Sequence, residues 1–502
     1  MNSLQTNHRT PIVSASRDAE LRAIPVIAPI LNDVTAPRRM QEEFAGKRMH
    51  FMGAGGIGIS GLMELCAARG AIVSGCDCSG GGQVAALRAK GMVIENGHCA
   101  DHANACDELI YSAAISTEHP EVERARSLNK AVGVRMNLLG RITRGTRAIC
   151  VTGAHGKTST TWLISHLLIA AGRDPSVLLG GVVKALSGNV RTGLGAELVV
   201  ETDESDNKLH LVTPSIPVLT NIDNDHLENY GSVDAIEQAC ARFLSSLDCS
   251  DPMAVMIGCG DDVRVRRSLD TAKLRSRRAS IAYGLAQYNQ VRAVNVRPEG
   301  LGTRFDVLVP SGLWINLFLP MPGAHNVLNA LAAISVAWHL GIDEATVRDA
   351  LSSIERVGRR FEIKGTRRGV RVIDDYGHHP TEIEATLSAA RQSTQKRLAV
   401  LFQPHRYSRT AALMEQFASA FIEADKVVLL PIYAASEAPL PGIDHHALAR
   451  QIEAQGKVSV TAAGNRAEAV EVLLKWAADG DTIITQGAGD VTKASDEIVS
   501  RL

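Results

Sequence analysis

Apolar and polar positions follow one recurring order along this chain. A short β-branched or apolar run comes first, then a polar break, then a stretch with apolar residues at helical spacing. Residues 48–52 read as a strand, 53–58 as a glycine turn, 60–69 as a helix, and 71–76 as a second strand ending at Asp77. Strand, tight turn, helix, strand is the unit of a parallel sheet with crossover helices. The order restarts at 147–152, a strand running straight into a second glycine turn and a helix carrying Trp162, Leu163, Leu167 and Leu168. Strands at 198–201 and 217–221 follow; a helix over 327–340 closes this block and 343–356 forms a small linking helix. A third block alternates strands at 370–374, 398–403, 426–431 and 482–485 with helices such as 381–391 and 411–422. The pattern predicts an α/β protein with an extension at 1–47 and three domains, 48–146, 147–357 and 358–502. No low-complexity linker separates them, so short hinges are expected.

Composition narrows the function classes. At 502 residues the chain exceeds one ordinary core, and roughly three units of about 150 residues fit it. Hydrophobic residues at 45% and charged residues at 21% match globular proteins and exclude a disordered chain. The 53 basic residues nearly cancel 54 acidic ones. No overall basic field exists for a nucleic acid or an anionic membrane. Nine cysteines, with no CxxC pair, predict free thiols in a reducing compartment. Cys76 and Cys78 with His98 imitate a metal set, but their two-residue spacing fits zinc poorly. No apolar run reaches the roughly 18 residues of a membrane helix, and the opening residues lack an apolar signal core, so a cytoplasmic protein is expected.

The strongest chemical signal is Gly153-Ala154-His155-Gly156-Lys157-Thr158 with Ser159, between an apolar strand and an amphipathic helix. Backbone N–H groups of such a turn wrap phosphate oxygens, and the helix adds its positive end. Lys157 supplies charge to the phosphates and Thr158 a hydroxyl suited to magnesium. Only two residues separate the glycines where the common loop has four, so this is a short variant. Glu201-Thr202-Asp203-Glu204-Ser205-Asp206 gathers carboxylates that a magnesium ion would hold together, or forms a solvated acidic loop. His226 ends a polar run after the strand at 217–221; imidazole is soft for magnesium, and a surface histidine is the alternative. Asn326 and Asn329, beside His325, share a helix face and can read a purine edge, or cap the helix. Arg360 opens the third block. Two polar strand ends there, around Asp375, Tyr376 and His378 and around Arg406 and Arg409, suit one small charged substrate. The earlier turn, with Gly53, Gly55, Gly56 and Gly58, is a weak dinucleotide fingerprint on its own. With Asp77 it allows a dehydrogenase, which leaves the second turn unemployed. A nucleotide switch explains the second turn but not the two polar strand ends.

Taken together, the segments HFMGAGGIGISG, TGAHGKTSTT, ETDESD, TNIDNDHLENYG, GAHNVLNALAA, DDYGHHPTE, FQPHRYSRT and GAGD, in this order, resemble the Mur ligase family over roughly residues 48–495. The resemblance implies a Rossmann-like first domain for a UDP-sugar, a central P-loop ATPase-like domain, and a Rossmann-like C-terminal domain for an amino acid. It implies an ATP-dependent ligase that joins L-alanine to the lactyl carboxylate of UDP-N-acetylmuramate through an acyl phosphate, with Mg2+ or Mn2+, as a monomer or weak dimer. By motif, Gly153, His155, Gly156, Lys157, Thr158, Ser159, His325, Asn326 and Asn329 would hold ATP. Thr158, Glu204 and His226 would hold metal. Lys157, His226, Arg360 and Asp375 would serve catalysis, and Tyr376, His378, Arg406 and Arg409 the amino acid. Gly53, Gly55, Gly56, Gly58, His98, Ser112, Asn189 and Arg191 would face the UDP-sugar. Ala154 and Asn207-Lys208 depart from the family strings. A related ligase that attaches a recycled tripeptide has a phenylalanine-alanine pair where this chain has Tyr376-Gly377.

Overall fold

The computed structural model describes residues 43–205, 207–225, 227–394, 396–456 and 458–502. Three sheets carry them. The first has five parallel strands in the spatial order Val93–Asn96, Ile72–Asp77, Arg48–Met52, Glu108–Tyr111, Ala131–Val134. Arg48–Met52 is paired on both edges, and Met49–Met52 are all buried, with Met49, Phe51 and Met52 apolar and His50 the one polar side chain taken inside. Strand order reverses beside it, and the glycine turn leaves its carboxyl end at that point, where open α/β sheets place ligands.

The second sheet has ten strands: Gly312–Leu319, Gly302–Val309, Val291–Glu299, Ser280–Gly284, Met256–Cys259, Ile216–Leu219, Arg147–Thr152, Glu197–Glu201, Ser176–Val183 and Gly188–Arg191. Its centre is parallel, while the first three strands and the last pair run antiparallel. These antiparallel edges lie outside the expected pattern. Their signal is period-two alternation in Gly302–Val309 between the glycine turns at Gly300 and Gly312, without a helix or motif to mark it as part of the sheet. The third sheet orders Glu362–Arg367, Val370–Asp375, Thr482–Gln486, Leu398–Phe402, Lys426–Leu429 and Ser459–Ala462, with the first strand antiparallel. The expected helix over 411–422 is instead two short helices, Tyr407–Ala412 and Met414–Ser419, because the backbone leaves helical geometry at Leu413.

The apolar clusters show how the sheets are joined. Phe51 and Leu62 of the first block share one buried cluster with Cys150, Val200, Leu219 and Phe243 of the second. The third sheet has its own clusters on its two faces, with Ile373 and Phe402 on one and Val372 and Leu401 on the other. At the junction between second and third sheets, the half-buried guanidinium of Arg356 donates to the carbonyls of Pro320 at 2.7 Å, Leu301 at 2.9 Å and Phe361 at 3.0 Å. Burial lowers its pKa from the usual arginine value. Arg359 and Phe361, just after it, hold left-handed backbone at φ 58° and 50°.

Candidate functional site

The second glycine turn lies at the carboxyl end of Arg147–Thr152, in the middle of its sheet, and leads into the helix Lys157–Ala170. Gly156 caps this helix at φ 78°, and a Cβ there would collide with the Asn329 side-chain amide, so both backbone and neighbour require glycine. Lys157 folds over its own turn: its Nζ donates to the Gly153 carbonyl at 2.8 Å, the Ala154 carbonyl at 3.1 Å and Glu204 Oε1 at 2.7 Å. Burial alone would depress the lysine pKa, but Glu204, Asp203 and Glu201 raise it above its usual value. Thr158, Ser159 and Glu204 are buried beside the turn. The acidic segment is thus a built feature. Glu201 accepts the Gly180 N–H at 2.8 Å, and Asp203 pairs with Arg135 of the first block at 3.3 Å.

A cavity of about 460 Å³ opens between this turn and the third sheet. His155, Gly156 and Ser159 form one wall, His325, Asn326 and Asn329 another, and Arg360, Phe361, Asp375 and Glu382 a third. Asn326 and Asn329 do share a helix face. Asn326 Nδ2 donates to the Pro322 carbonyl at 2.8 Å, while Asn329 Oδ1 accepts from the Thr160 hydroxyl at 3.2 Å. The helix cap itself is Gly323. Burial pushes the His325 imidazole down to about 4, so it is neutral.

Across the cavity the second and third blocks meet through polar groups. His155 Nε2 lies 2.8 Å from Asp223 Oδ2 and its Nδ1 3.3 Å from Glu382 Oε1. Burial opposes the charged ring, yet its bonds to Asp223 and Glu382 win and raise His155 to about 9. Both carboxyls are in turn held below their usual range despite burial. Thr381 donates to Asp223 Oδ2 at 2.8 Å, and Arg409 donates to Asp225 Oδ1 at 2.8 Å. Arg359 and Arg360 lie over the Tyr376 ring at 5.1 and 5.0 Å. Asp375 accepts the N–H groups of Phe361 and Gly377, each at 2.8 Å, so it shapes the turn as well as the cavity wall. Burial raises its pKa against the pull of Arg360. Burial also drives His378 down to about 3, and its Nδ1 lies 3.2 Å from the Tyr376 carbonyl. Arg406 begins the helix Tyr407–Ala412 in left-handed backbone at φ 69°.

At the first turn, the Gly55 N–H donates to Asp77 Oδ2 at 2.8 Å, and a Cβ on Gly55 would sit 2.9 Å from the same oxygen. Gly53 packs against Ser112, Gly56 caps the helix Ile57–Ala68, and Gly58 lies under Arg135. Asn189 comes from the second sheet to donate to the Ile57 carbonyl at 3.0 Å, next to this turn. Arg191 is spent on Asp174 and the Pro175 carbonyl of its own sheet edge. His98 turns to Cys76, with Nδ1 3.0 Å from the sulfur.

His226 lies outside the described residues. Glu382, Asp223 and Asn221 enter the site without having been assigned a role from sequence. Each sits inside a quoted motif, but its value depends on a partner about 66 or more positions away, as in the 2.8 Å bond from the His155 N–H to Asn221 Oδ1. Among the described residues, two groups of side chains lie close enough to hold a metal ion: His155, Asp223 and His379 at the cavity, and His50, Cys76, His102 and Glu121 in the first block.

Comparison with known proteins bears on what this arrangement belongs to. Residues 48–147 match the model described as Mur ligase family, catalytic domain; 151–337 match the Mur ligase middle domain; and 359–489 match Mur ligase, glutamate ligase domain. The UDP-N-acetylmuramate–L-alanine ligase of Solibacter usitatus is 39% identical over 460 residues, 91% of this chain and 96% of that protein. The ligase of the same name from Geobacter sp. is 40% identical over 458 residues, 91% and 98% of the two chains.

The chain belongs to the Mur ligase family.

It is therefore an ATP-dependent ligase, with the three-domain architecture of that family. Among solved structures, the UDP-N-acetylmuramate-alanine ligase of Thermotoga maritima superposes with a TM-score of 0.74 at 28% identity, covering 91% of this chain and 99% of that one. A murein peptide ligase from Psychrobacter arcticus reaches a TM-score of 0.65 at 22% identity, over 91% and 98%, which is a likeness of fold. The cavity lies where the middle and C-terminal Mur ligase segments face each other, and both segments supply charged groups to it. No helix among the described residues is long and apolar enough to cross a membrane.

Proposed function

We propose that this Mur ligase joins L-alanine to the lactyl carboxylate of UDP-N-acetylmuramate in peptidoglycan precursor synthesis in the cytoplasm, converting ATP to ADP and phosphate. The observation that carries this reading is the cavity between the Lys157 turn and the third sheet. Its lining combines His155, Gly156 and Ser159 of the glycine turn with Asn326 and Asn329 and with Arg360, Asp375 and Glu382 of the third block, and the half-buried His378 and Arg409 belong to the same third block. The names of the relatives that match over nearly their whole length agree with it. Residues 48–146 would bind the UDP-sugar through a Rossmann-like sheet, 147–357 would bind ATP in a P-loop-like turn, and 358–502 would bind the amino acid through a second Rossmann-like sheet.

In the first step a lactyl carboxylate oxygen attacks the γ-phosphorus and the bond to the β-phosphate bridging oxygen breaks. This gives an acyl phosphate and ADP. In the second step the alanine amine attacks the acyl carbon, loses a proton, and phosphate departs from the tetrahedral adduct. Lys157 offsets phosphate charge in a site from which water is excluded. Arg360, stacked on Tyr376 at 5.0 Å and lining the cavity, meets the transferring phosphate. His378 is neutral, with Nδ1 toward the Tyr376 carbonyl, leaving Nε2 as an acceptor for the amine. Arg406 and Arg409 clamp the alanine carboxylate. Asp375 acts by fixing the Arg360–Phe361 and Gly377 backbones. Magnesium or manganese fits the hard oxygen donors of Thr158 and Glu204, with His226 as the family's further metal position, and supplies charge neutralisation to the phosphates.

Gly377 supports the alanine reading: a Cβ there would stand 2.7 Å from Asp375 Oδ1 and 2.9 Å from Gln486 Nε2, so the alanine of the tripeptide-ligase pair would displace these side chains. The test is to incubate the protein with ATP, UDP-N-acetylmuramate and either single amino acids or the tripeptide, and to weigh the product. L-alanine should couple best, glycine and serine less well, since one or two heavy atoms are worth only about 1–3 kcal/mol. Product formed from the tripeptide alone would overturn the reading. Starting from substrate labelled in its carboxylate oxygens, one label should appear in released phosphate; unlabelled phosphate would remove the acyl-phosphate step.

A further inference from the structure

Just behind the first glycine turn, four donor atoms from four separate segments point at one another. His50 comes from the strand Arg48–Met52, Cys76 from the strand Ile72–Asp77, His102 from the turn Ala100–Ala105, and Glu121 from the first turn of the helix Pro120–Ser127. The His50 Nε2, Cys76 Sγ, His102 nitrogen and Glu121 oxygen all lie within 4.8 Å of one another. Individual separations are 3.0 Å from His50 Nε2 to Glu121 Oε1 and 3.4 Å from His50 Nε2 to Cys76 Sγ. His102 Nδ1 is 3.3 Å from Glu121 Oε1, and Cys76 Sγ is 3.6 Å from the same carboxylate. A tetrahedral ion with nitrogen and oxygen at about 2.0–2.1 Å and sulfur at about 2.3 Å has edges of about 3.3–3.6 Å. The four separations just given stand at those edges to within a few tenths of an ångström, and the two remaining ones lie within 4.8 Å.

The surroundings of each donor match what a metal ligand needs. His50 Nδ1 is 2.9 Å from Ser74 Oγ, which fixes the ring and leaves Nε2 to face inward. The second Glu121 oxygen accepts the Cys99 N–H at 3.2 Å. His98 Nδ1 lies 3.0 Å from the Cys76 sulfur, placed to donate to a thiolate. His102 Nδ1 is a buried atom with no hydrogen-bond partner, although it faces Glu121, and a buried polar atom in that condition is uncommon. Glu121 and Cys76 are fully buried, and neither belongs to the machinery proposed at the ATP cavity. Spacing along the chain concealed the set: Cys78, the neighbour that prompts a metal reading, is exposed and takes no part.

We propose that His50, Cys76, His102 and Glu121 form a closed structural site for zinc. One thiolate, two imidazoles and one carboxylate are a borderline-soft set that suits zinc and disfavours magnesium, so this centre is distinct in chemistry from the ion that accompanies ATP. All four positions are protein groups, which leaves none open for a substrate. The ion would staple two central strands to the 100–105 turn and the 120–127 helix, and so brace the base of the Gly53–Gly58 turn.

The experiment uses the whole chain, purified without chelators. Elemental analysis should find about one zinc per chain. Exchange into cobalt(II) should give a thiolate-to-cobalt charge-transfer band and the intense visible bands of tetrahedral geometry. Cys76→Ser and His102→Ala should each lower retained metal at least about tenfold, and Cys76→Ser should abolish the thiolate band, while Cys78→Ser changes neither. A chelator should lower the melting temperature of the wild type but not of Cys76→Ser. The proposal is overturned if the wild type, whose spectrum requires no variant to fold, neither retains zinc nor gives a thiolate band on titration with cobalt. The four side chains would then be a hydrogen-bonded cluster only. A band that survives Cys76→Ser and vanishes in Cys78→Ser would overturn it equally.

Discussion

The seam between the first and second blocks and the seam between the second and third are built from opposite materials. At the first, Phe51 and Leu62 share a continuous buried cluster with Val200, Leu219 and Phe243, and the helix Ile57–Ala68 comes so close that a Cβ on Gly61 would meet Leu178. At the second, the contacts across the cavity are His155 with Glu382, Asp223 with Thr381 and Asp225 with Arg409. Apolar contact is non-directional, close-packed and insensitive to pH, so it fixes two bodies together. Charged contacts can be exchanged for water or for a ligand at little net cost, so they allow two bodies to part and return. The difference predicts that the first two blocks behave as one rigid body and that any relative movement lies between the second and third.

Four measurements would sharpen or break that contrast. The largest effect is expected where both halves converge. Lys157→Ala should lower kcat by roughly 10²–10³ with UDP-sugar affinity kept, since an electrostatic group of this kind contributes about 3–4 kcal/mol in the transition state. The change leaves Glu204 buried without its ammonium, so melting should fall as well. Adding Glu204→Gln should recover the melting temperature and not the rate. Normal turnover in Lys157→Ala would remove the lysine from the mechanism.

At the apolar seam, Leu178→Ala should cost about 2–4 kcal/mol and shift one shared unfolding transition of the first two blocks. Two separate transitions would show that they are not one body. At the polar seam, Arg409→Ala should raise the KM for L-alanine about tenfold or more, with UDP-sugar affinity within about twofold, and Asp225→Asn should restore stability but not the KM. An unchanged alanine KM would take Arg409 out of the amino-acid pocket.

The smallest effect is a pH dependence confined to the polar seam, of about 1–3 kcal/mol. His155 has its folded pKa raised from 6.5 to about 9, so its contribution is complete below 6.5 and is lost as pH rises through about 9. Asp223 and Glu382 have theirs lowered from 3.8 and 4.5, so their contribution is present above those values and lost as pH falls below them. Proteolysis or hydrogen exchange across residues 381–409 should therefore be slowest between about pH 5 and 6.5, and His155→Gln should flatten the alkaline side. An alkaline limb unchanged by that substitution would assign it to another group.

The sequence was most legible where one local pattern sufficed. The strand 48–52, the strand 147–152 and the helices after their glycine turns follow from periodicity and turn residues alone, within a few residues of the observed Arg48–Met52, Ile57–Ala68, Arg147–Thr152 and Lys157–Ala170. Lys157 was visible for the same reason, because its neighbours in sequence are its neighbours in space. Glu382 was not: its partner His155 is 227 positions away, and only the folded chain makes them a pair. The antiparallel strand Gly302–Val309 was missed although it is eight residues long, because no crossover helix or glycine-loop motif marked it out and its alternation includes polar Thr303, Arg304 and Asp306. The set around Cys76 was hidden because its four donors come from four segments, with no spacing that local reading could recognise.

Arg356 sets where a hinge would lie. A guanidinium that grips carbonyls on both sides of the junction would act as a pivot pin, so a moving third sheet would swing about that point more readily than slide. Arg359 and Phe361, wound into left-handed backbone beside the pin, are where torsion would be taken up. Points near an axis trace short arcs. Phe361 forms part of the cavity wall directly beside that axis, so this wall would keep its shape through a swing while residues on longer radii would sweep in and out. If the proposed roles hold, such a layout would let one edge of the site retain the nucleotide while the far edge exchanges amino acid and product.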